Sequence, residues 1–155
     1  MQKHTFAVVS GLAAALTIYL MGLVGEASDN WALIMAPFGA SCVIAFGLPN
    51  SPLARPKNII LGHLITTFVG LFILNTLGSN PQSLAIGVGL GITLMLATDT
   101  THPPAGANPL LVILTGQHWE FLYQTVLPGS LALVLSAYLY KRANNKLSQS
   151  NRGLF

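Results

Sequence analysis

Four long apolar stretches divide the chain: Phe6 to Gly25, Asn58 to Leu77, Ser83 to Thr98 and Phe121 to Tyr140. Each approaches the roughly 20 residues that an α-helix needs to cross the hydrocarbon core of a bilayer. Glycine, serine and threonine recur within them, as at Gly62, Thr66, Thr67 and Gly70. Small residues let membrane helices approach closely, because packing rather than hydrophobicity holds such helices together. Two shorter apolar pieces lie between the long ones. Trp31 to Leu48 is interrupted by Pro37 and Gly39, and Pro104 to Thr115 is opened by Pro103-Pro104 and carries Pro109. A helix of about a dozen residues is only about 18 Å long. Proline also removes a backbone donor and resists a helix interior. These pieces read as discontinuous or re-entrant helices, which a membrane tolerates only inside protein or beside a wet cavity. The expected fold class is therefore an all-α membrane protein with four long transmembrane helices and two discontinuous short ones.

Composition agrees with this pattern. Of 155 residues, 52% are hydrophobic and only 7% are charged, against about 25% charged in a soluble domain. So few charges cannot cover a water-facing surface, so lipid must cover much of it. The length suits one transmembrane domain, residues 1–143, followed by a polar tail at 144–155. The first apolar run follows Lys3 and precedes a small-x-small sequence, Gly25-Glu26-Ala27, as a signal peptide would. It is as long as a full span, so it reads as a retained first helix.

The net charge of +3 sits at the segment ends. Lys3, Arg55, Lys57, Lys141, Arg142, Lys146 and Arg152 flank spans, whereas the segments with Glu26, Asp29, Glu120 and Gly78 to Gln82 lack Lys and Arg. The positive-inside rule places both termini and the Pro49 to Lys57 loop in the cytoplasm, provided that both broken pieces count as crossings. That makes six crossings in a multi-pass inner (plasma) membrane protein. The basic residues thus serve topology, and no nucleic-acid partner is implied. Cys42 is the only cysteine, so no internal disulfide forms. Four scattered histidines and one cysteine do not read as a metal site, and no cofactor motif or catalytic motif is present, so no enzyme is expected.

The broken pieces resemble one another. Pro37-Phe38-Gly39-Ala40 matches Pro104-Ala105-Gly106-Ala107 at an offset of 67, and Gly62-His63-Leu64 meets Gly129-Ser130-Leu131 at the same offset. Each half, 6–77 and 83–140, is then a long helix, a broken helix and a long helix. Three crossings per half invert the second half relative to the first, a recurring transporter plan.

The local chemistry gathers at the broken pieces. In Asp99-Thr100-Thr101-His102-Pro103-Pro104-Ala105-Gly106-Ala107-Asn108, proline suits a first helical turn. Thr100 or Thr101 is placed to cap it. The amides of Ala105, Gly106 and Ala107 would be orphan donors at a positive dipole end, which suits an anion. His102 would stand at the mouth, beside Asn108. In the first half, Pro37 opens a turn bearing the amides of Phe38, Gly39 and Ala40, with Ser41 adding a hydroxyl and Phe38 an apolar constriction. Two such starts facing each other would favour a small anion; the bland alternative is that both turns are tight packing points. His63 lies inside a span, where an ionisable group is a functional candidate, although an interfacial structural role fits nearly as well. Asp99 and His102 are candidates for a proton relay, and Asp99 equally suits a turn cap. Trp31, Trp119 and Tyr123 fit an interfacial belt. The glycines at 87, 89 and 91 suggest close helix contact, within the chain or in a homo-oligomer.

Thr101-His102-Pro103-Pro104-Ala105-Gly106-Ala107 resembles the signature of the HPP family of small membrane proteins. Ala36 to Ser41, continuing through Pro49 to Asn58 and Gly62-His63, resembles that family's second block. The resemblance covers nearly the whole chain and implies a multi-helix membrane protein. Members in cyanobacteria and plant chloroplasts are linked to nitrite transport, so the resemblance implies nitrite as the partner. The chain lacks the extension expected of a chloroplast member, which suggests a bacterial or cyanobacterial membrane. Two other function classes stay open: a non-transporting binding or scaffold protein, and a proton or cation pathway using Asp99 and His63.

Overall fold

The computed structural model describes residues 3–27 and 33–150, and every regular element among them is helical. Helix α1 spans Lys3–Ala27, and α2 spans Ala36–Cys42 and continues as a π-helical turn, Val43–Gly47. A 3-10 turn at Pro52–Ala54 leads into α3, Pro56–Leu77, and α4 follows at Pro81–Ala97. A second 3-10 turn, Pro103–Ala107, opens α5, Asn108–Thr115. A π-helical turn at Leu122–Val126 opens α6, Leu127–Ser150. Trp31 lies outside the described residues.

The helix ends follow from residue chemistry. Proline stands in the first turn of α2, α3 and α4, where its missing N–H costs nothing. The Asn80 side chain accepts the Ser83 N–H at 2.9 Å and so caps α4. Gly116, at φ 64°, ends α5 in the left-handed conformation that glycine adopts without strain. Among the described residues, three helices are long and apolar enough to cross a membrane: Lys3–Ala27, Pro56–Leu77 and Leu122–Asn144. The expected fourth, α4, has 17 residues, about 25 Å at 1.5 Å per residue. Its start at Pro81 and the turn at Thr98 to Thr100 make it the shortest of the four long helices. The last apolar span ends at Asn144, and α6 continues as helix to Ser150.

Lipid-facing and protein-facing helices separate clearly. In α1 only Ser10, Thr17 and Met21 are buried, while Val8, Leu12, Leu16 and Tyr19 stand mostly exposed. In α3 ten residues are buried, and it packs against α4, α5 and α6. Glycine makes these contacts close. A Cβ on Gly70 would lie 2.9 Å from the Pro109 backbone, and one on Gly87 would lie 3.1 Å from the Pro109 ring. Gly91 faces Thr66, whereas Gly89 is exposed with open space around it. Two of the three α4 glycines thus serve contacts within the chain.

Each half presents the same order: a long helix, a broken piece, a long helix. A Cβ on Gly62 would meet the Thr100 carbonyl oxygen at 3.0 Å and the Ala105 side chain at 3.6 Å. A Cβ on Gly129 would meet the Leu33 carbonyl oxygen at 2.8 Å and come closer still to the Phe38 ring. Shifted by 67 positions, Gly62, Leu33 and Phe38 become Gly129, Thr100 and Ala105. The third helix of each half therefore packs its glycine against the other half's broken piece, at matching positions.

Candidate functional site

A polar cluster lies sealed in the protein interior: Ser41, His63, Thr67, His102 and Asn108 expose no surface at all. Burying that many polar groups is costly unless they bond one another. Ser41 Oγ lies 2.8 Å from His63 Nε2 and 2.8 Å from His102 Nε2. His102 Nδ1 lies 2.9 Å from the Leu53 carbonyl oxygen. On the far side of His63, the Asn108 amide nitrogen lies 3.0 Å from Nδ1. The same nitrogen donates to Thr67 Oγ1 at 2.9 Å and to the His63 carbonyl at 3.1 Å. Phe38 meets the His63 ring edge to face, with centroids 5.1 Å apart.

The elements explain the placement. Ser41 sits one turn into α2 beyond Pro37, and it reaches back to the Pro37 carbonyl at 3.1 Å. Ser41 and Asn108 are the same position in the two halves, being 67 residues apart. Both approach His63, one at each ring nitrogen. His102 is held because Gly62, one residue before His63, leaves room for its Cβ. Asn58 donates to the Thr101 carbonyl at 2.9 Å and pins the preceding loop to α3.

Two cavities flank this cluster. One, about 420 Å³, is lined by Ala45, Ser51, Ala54, Arg55, Ile59 and Lys141, among others. The second, about 640 Å³, is lined by Met35, Ala36, Leu111, Thr115, Glu120 and Thr125, among others. They lie at opposite ends of the same elements: Ala36 and Ala45 bracket α2 and its π turn, and Thr125 and Val134 bracket the start of α6. Nine residues separate each pair, about 14 Å of helix. The first cavity holds the basic Arg55 and Lys141, and the second holds the acidic Glu120. Three lining positions also correspond at the offset of 67: Asn50, Ser51 and Ala54 of the first cavity and Gln117, His118 and Phe121 of the second.

Pro37, Phe38, Ser41, His63, His102, Pro104, Ala105 and Asn108 are all buried. Gly39, Ala40, Pro103 and Ala107 are exposed, and Gly106 is half-buried. Two of the expected free amides are in use, since the Phe38 N–H donates to the Met35 carbonyl and the Ala105 N–H to the His102 carbonyl, both at 2.9 Å. The cap at Pro103 is His102, without a side-chain cap bond. Thr100 instead pairs with Thr98 at 2.8 Å. Asp99 is exposed in a left-handed turn at φ 53°, which aspartate tolerates better than most residues. It has no hydrogen bond to the cluster among the described residues. The two broken pieces pass side by side rather than end to end. The end of α2 meets the start of the second piece at Ser41 and His102, while Ala36 lines a cavity with Thr115. Sequence reasoning missed Thr67 and Leu53. The one signal for Thr67 was its place one turn beyond His63 on the same face; Leu53 contributes only a carbonyl and left none.

The transmembrane region of the HPP family matches residues 1–149. The chain belongs to the HPP family. Two Dictyostelium discoideum proteins, both named as transmembrane proteins, are each 36% identical to it. One alignment covers 75% of this chain and 44% of the relative, the other 68% and 37%. This HPP chain thus spans less than half the length of those relatives. No solved structure matches it. The family's HPP tripeptide is His102-Pro103-Pro104 here, so its histidine is the one that bonds Ser41 and Leu53.

Proposed function

We propose that this HPP chain moves a small inorganic anion, nitrite first among candidates, across a bacterial inner membrane with both termini cytoplasmic. The observation that carries the reading is the pair of repeat-related cavities at opposite ends of the helices. They leave a layer of about 14 Å between them, roughly half of a 30 Å hydrocarbon core. Within that layer lie the two broken helices and the buried polar cluster. Inverted repeats around such a layer suit alternating access, each half opening one cavity in turn. The Arg55 and Lys141 pair supports an anion at the basic end, and the family resemblance alone supports nitrite. Ser41, His63, His102 and Asn108 are the polar groups that a solute would meet between the broken helices.

Two measurements test this. The first is nitrite entry into liposomes holding the purified protein. A rate above that of empty vesicles is expected, and entry no faster than in empty vesicles from folded protein would leave a binding or scaffold role instead. The second uses Ser51→Cys and Thr115→Cys, each in a Cys42→Ala background. An impermeant maleimide is expected to label the first from the cytoplasmic side only and the second from the opposite side only, and either adduct is expected to slow nitrite entry. Labelling of both from one side would refute the two-cavity path.

A further inference from the structure

The cluster has a direction, and it follows from which atoms can donate. The Leu53 carbonyl only accepts, so His102 Nδ1, 2.9 Å away, carries the hydrogen. A neutral His102 then has a bare Nε2, and the Ser41 hydroxyl at 2.8 Å donates to it. Ser41 Oγ is left to accept, so His63 Nε2–H donates to it at 2.8 Å. His63 Nδ1 is then bare and accepts from the Asn108 amide at 3.0 Å. Thr67 Oγ1 and the His63 carbonyl, both facing the same amide nitrogen, hold it in that orientation. Every bond from Asn108 to Leu53 points the same way.

We propose that this chain is a proton relay across the layer between the two cavities, making the proton a co-substrate of the transport step. The proposal deepens the transport reading and rests on it for the coupling. Water entering from the second cavity, whose Leu111 and Thr115 stand one and two turns beyond Asn108 on α5, delivers a proton to the bare Nδ1 of His63, and the Asn108 amide turns to accept it through Oδ1, which lies 3.4 Å away. The His63 Nε2–H bond breaks as that proton joins Ser41 Oγ. The Ser41 O–H bond breaks at the same time, and its proton joins His102 Nε2. His102 now holds two protons and gives up the one on Nδ1 to water beside Leu53, whose neighbours Ser51 and Ala54 line the basic cavity. One proton enters, one leaves and nothing is oxidised. The relay leaves His63 with its hydrogen on Nδ1 and His102 with its hydrogen on Nε2, so the chain resets when both rings turn over while the Ser41 hydroxyl swings to the Pro37 carbonyl, 3.1 Å away.

Packing does not require these histidines. In the repeat, His102 corresponds to Met35 and His63 to Ser130, both buried. Ser130 is satisfied within its own helix by the Leu127 carbonyl at 2.9 Å. The same scaffold position is therefore filled once with an imidazole and once with a group that needs no network. His63 and His102 are each other's titratable neighbour, with ring centroids 5.1 Å apart. The α2 side presents Ser41 and Phe38, and the second half presents Asn108. No Lys, Arg, Asp or Glu side chain bonds to either ring among the described residues.

The test has two arms. In wild-type protein labelled with nitrogen-15 at histidine and held in bilayers at neutral pH, solid-state NMR is expected to show two neutral buried imidazoles of opposite tautomer. His102→Gln is expected to remove the one protonated at Nδ1. The same tautomer on both rings would overturn the relay. In liposomes containing a pH dye, an inward nitrite gradient is expected to acidify the interior faster than in empty vesicles. Ser41→Ala is expected to cut that excess at least about tenfold. Equal acidification by Ser41→Ala would overturn the relay, as would nitrite entry with no excess acidification, which leaves transport standing. Acidification without nitrite entry keeps the relay and removes the solute. If Ser41→Ala does not reconstitute, the wild-type tautomers decide alone.

Discussion

Gly129→Val is expected to destabilise the folded protein by about 3 kcal/mol, at the upper end of what overpacking a tight interior costs. The reason is spatial. A first side-chain carbon at this position would stand 2.8 Å from the Leu33 carbonyl oxygen and closer still to the Phe38 ring. Neither neighbour has room to yield. Leu33 meets the position with backbone, and Phe38 is fully buried with its ring held edge-on against His63. The third helix of the second half would have to move off the broken piece of the first. The measurement is a chemical-denaturation midpoint in detergent, compared with Gly89→Val. Gly89 is equally helical, but a carbon added there meets nothing within 4 Å, so only the helix propensity changes, by a few tenths of a kcal/mol. Equal midpoints for the two variants would show that the contact across the halves is not a tight one. The same substitution at Gly62 is expected to cost a comparable amount, because its matching contacts to Thr100 and Ala105 are nearly as close.

The hydrophobic pattern announced the helices because nearly every long apolar run in this chain faces lipid on one side. α1 is the plainest case: it is apolar all round and almost wholly exposed, which marks a membrane span without further information. The broken pieces were legible through Pro37 and Pro103-Pro104, since proline marks a first turn and stops the helix before it. Four positions near each proline share the offset of 67 with Gly62 and Gly129, and both glycines stand in tight crossings that leave no room for anything larger.

The site was only half legible. His63, His102, Ser41 and Asn108 are residues whose burial in a membrane demands partners, so chemistry singled them out. Which of them meet is a matter of register between helices, and that is not written locally. Helix-start reasoning assumes that the first amides stay free. Here the turns tighten, and Phe38 and Ala105 spend their N–H groups on carbonyls three residues back. For Asp99 the sequence offered both a proton relay and a turn role, and the residue stands in a left-handed turn. The Leu53 carbonyl had no signal, because any residue supplies one.

Asn108→Ala is expected to destabilise the protein by about 3 kcal/mol and to stop nitrite entry altogether. The Asn108 amide nitrogen shares its two hydrogens among three neighbours: His63 Nδ1, the His63 carbonyl and Thr67 Oγ1. An unsatisfied buried polar group costs about 1 to 3 kcal/mol. The His63 carbonyl also accepts from Thr66 Oγ1 at 3.3 Å, and Thr67 can turn its hydroxyl, so the full loss falls mainly on His63 Nδ1. Alanine also leaves a void where the amide stood, which adds to the cost. The contrast is Asn75→Ala. Asn75 is exposed and donates to the Leu71 carbonyl of its own helix, so its loss is expected within about 0.5 kcal/mol. Asn108→Ser separates stability from function. Serine is what the other half carries at this position, and it is small enough to fit, but it cannot reach both Thr67 and the ring nitrogen. It is expected to recover part of the stability and none of the entry. Normal entry by Asn108→Ser would show that the amide only packs, and that His63 does its work through Ser41 alone.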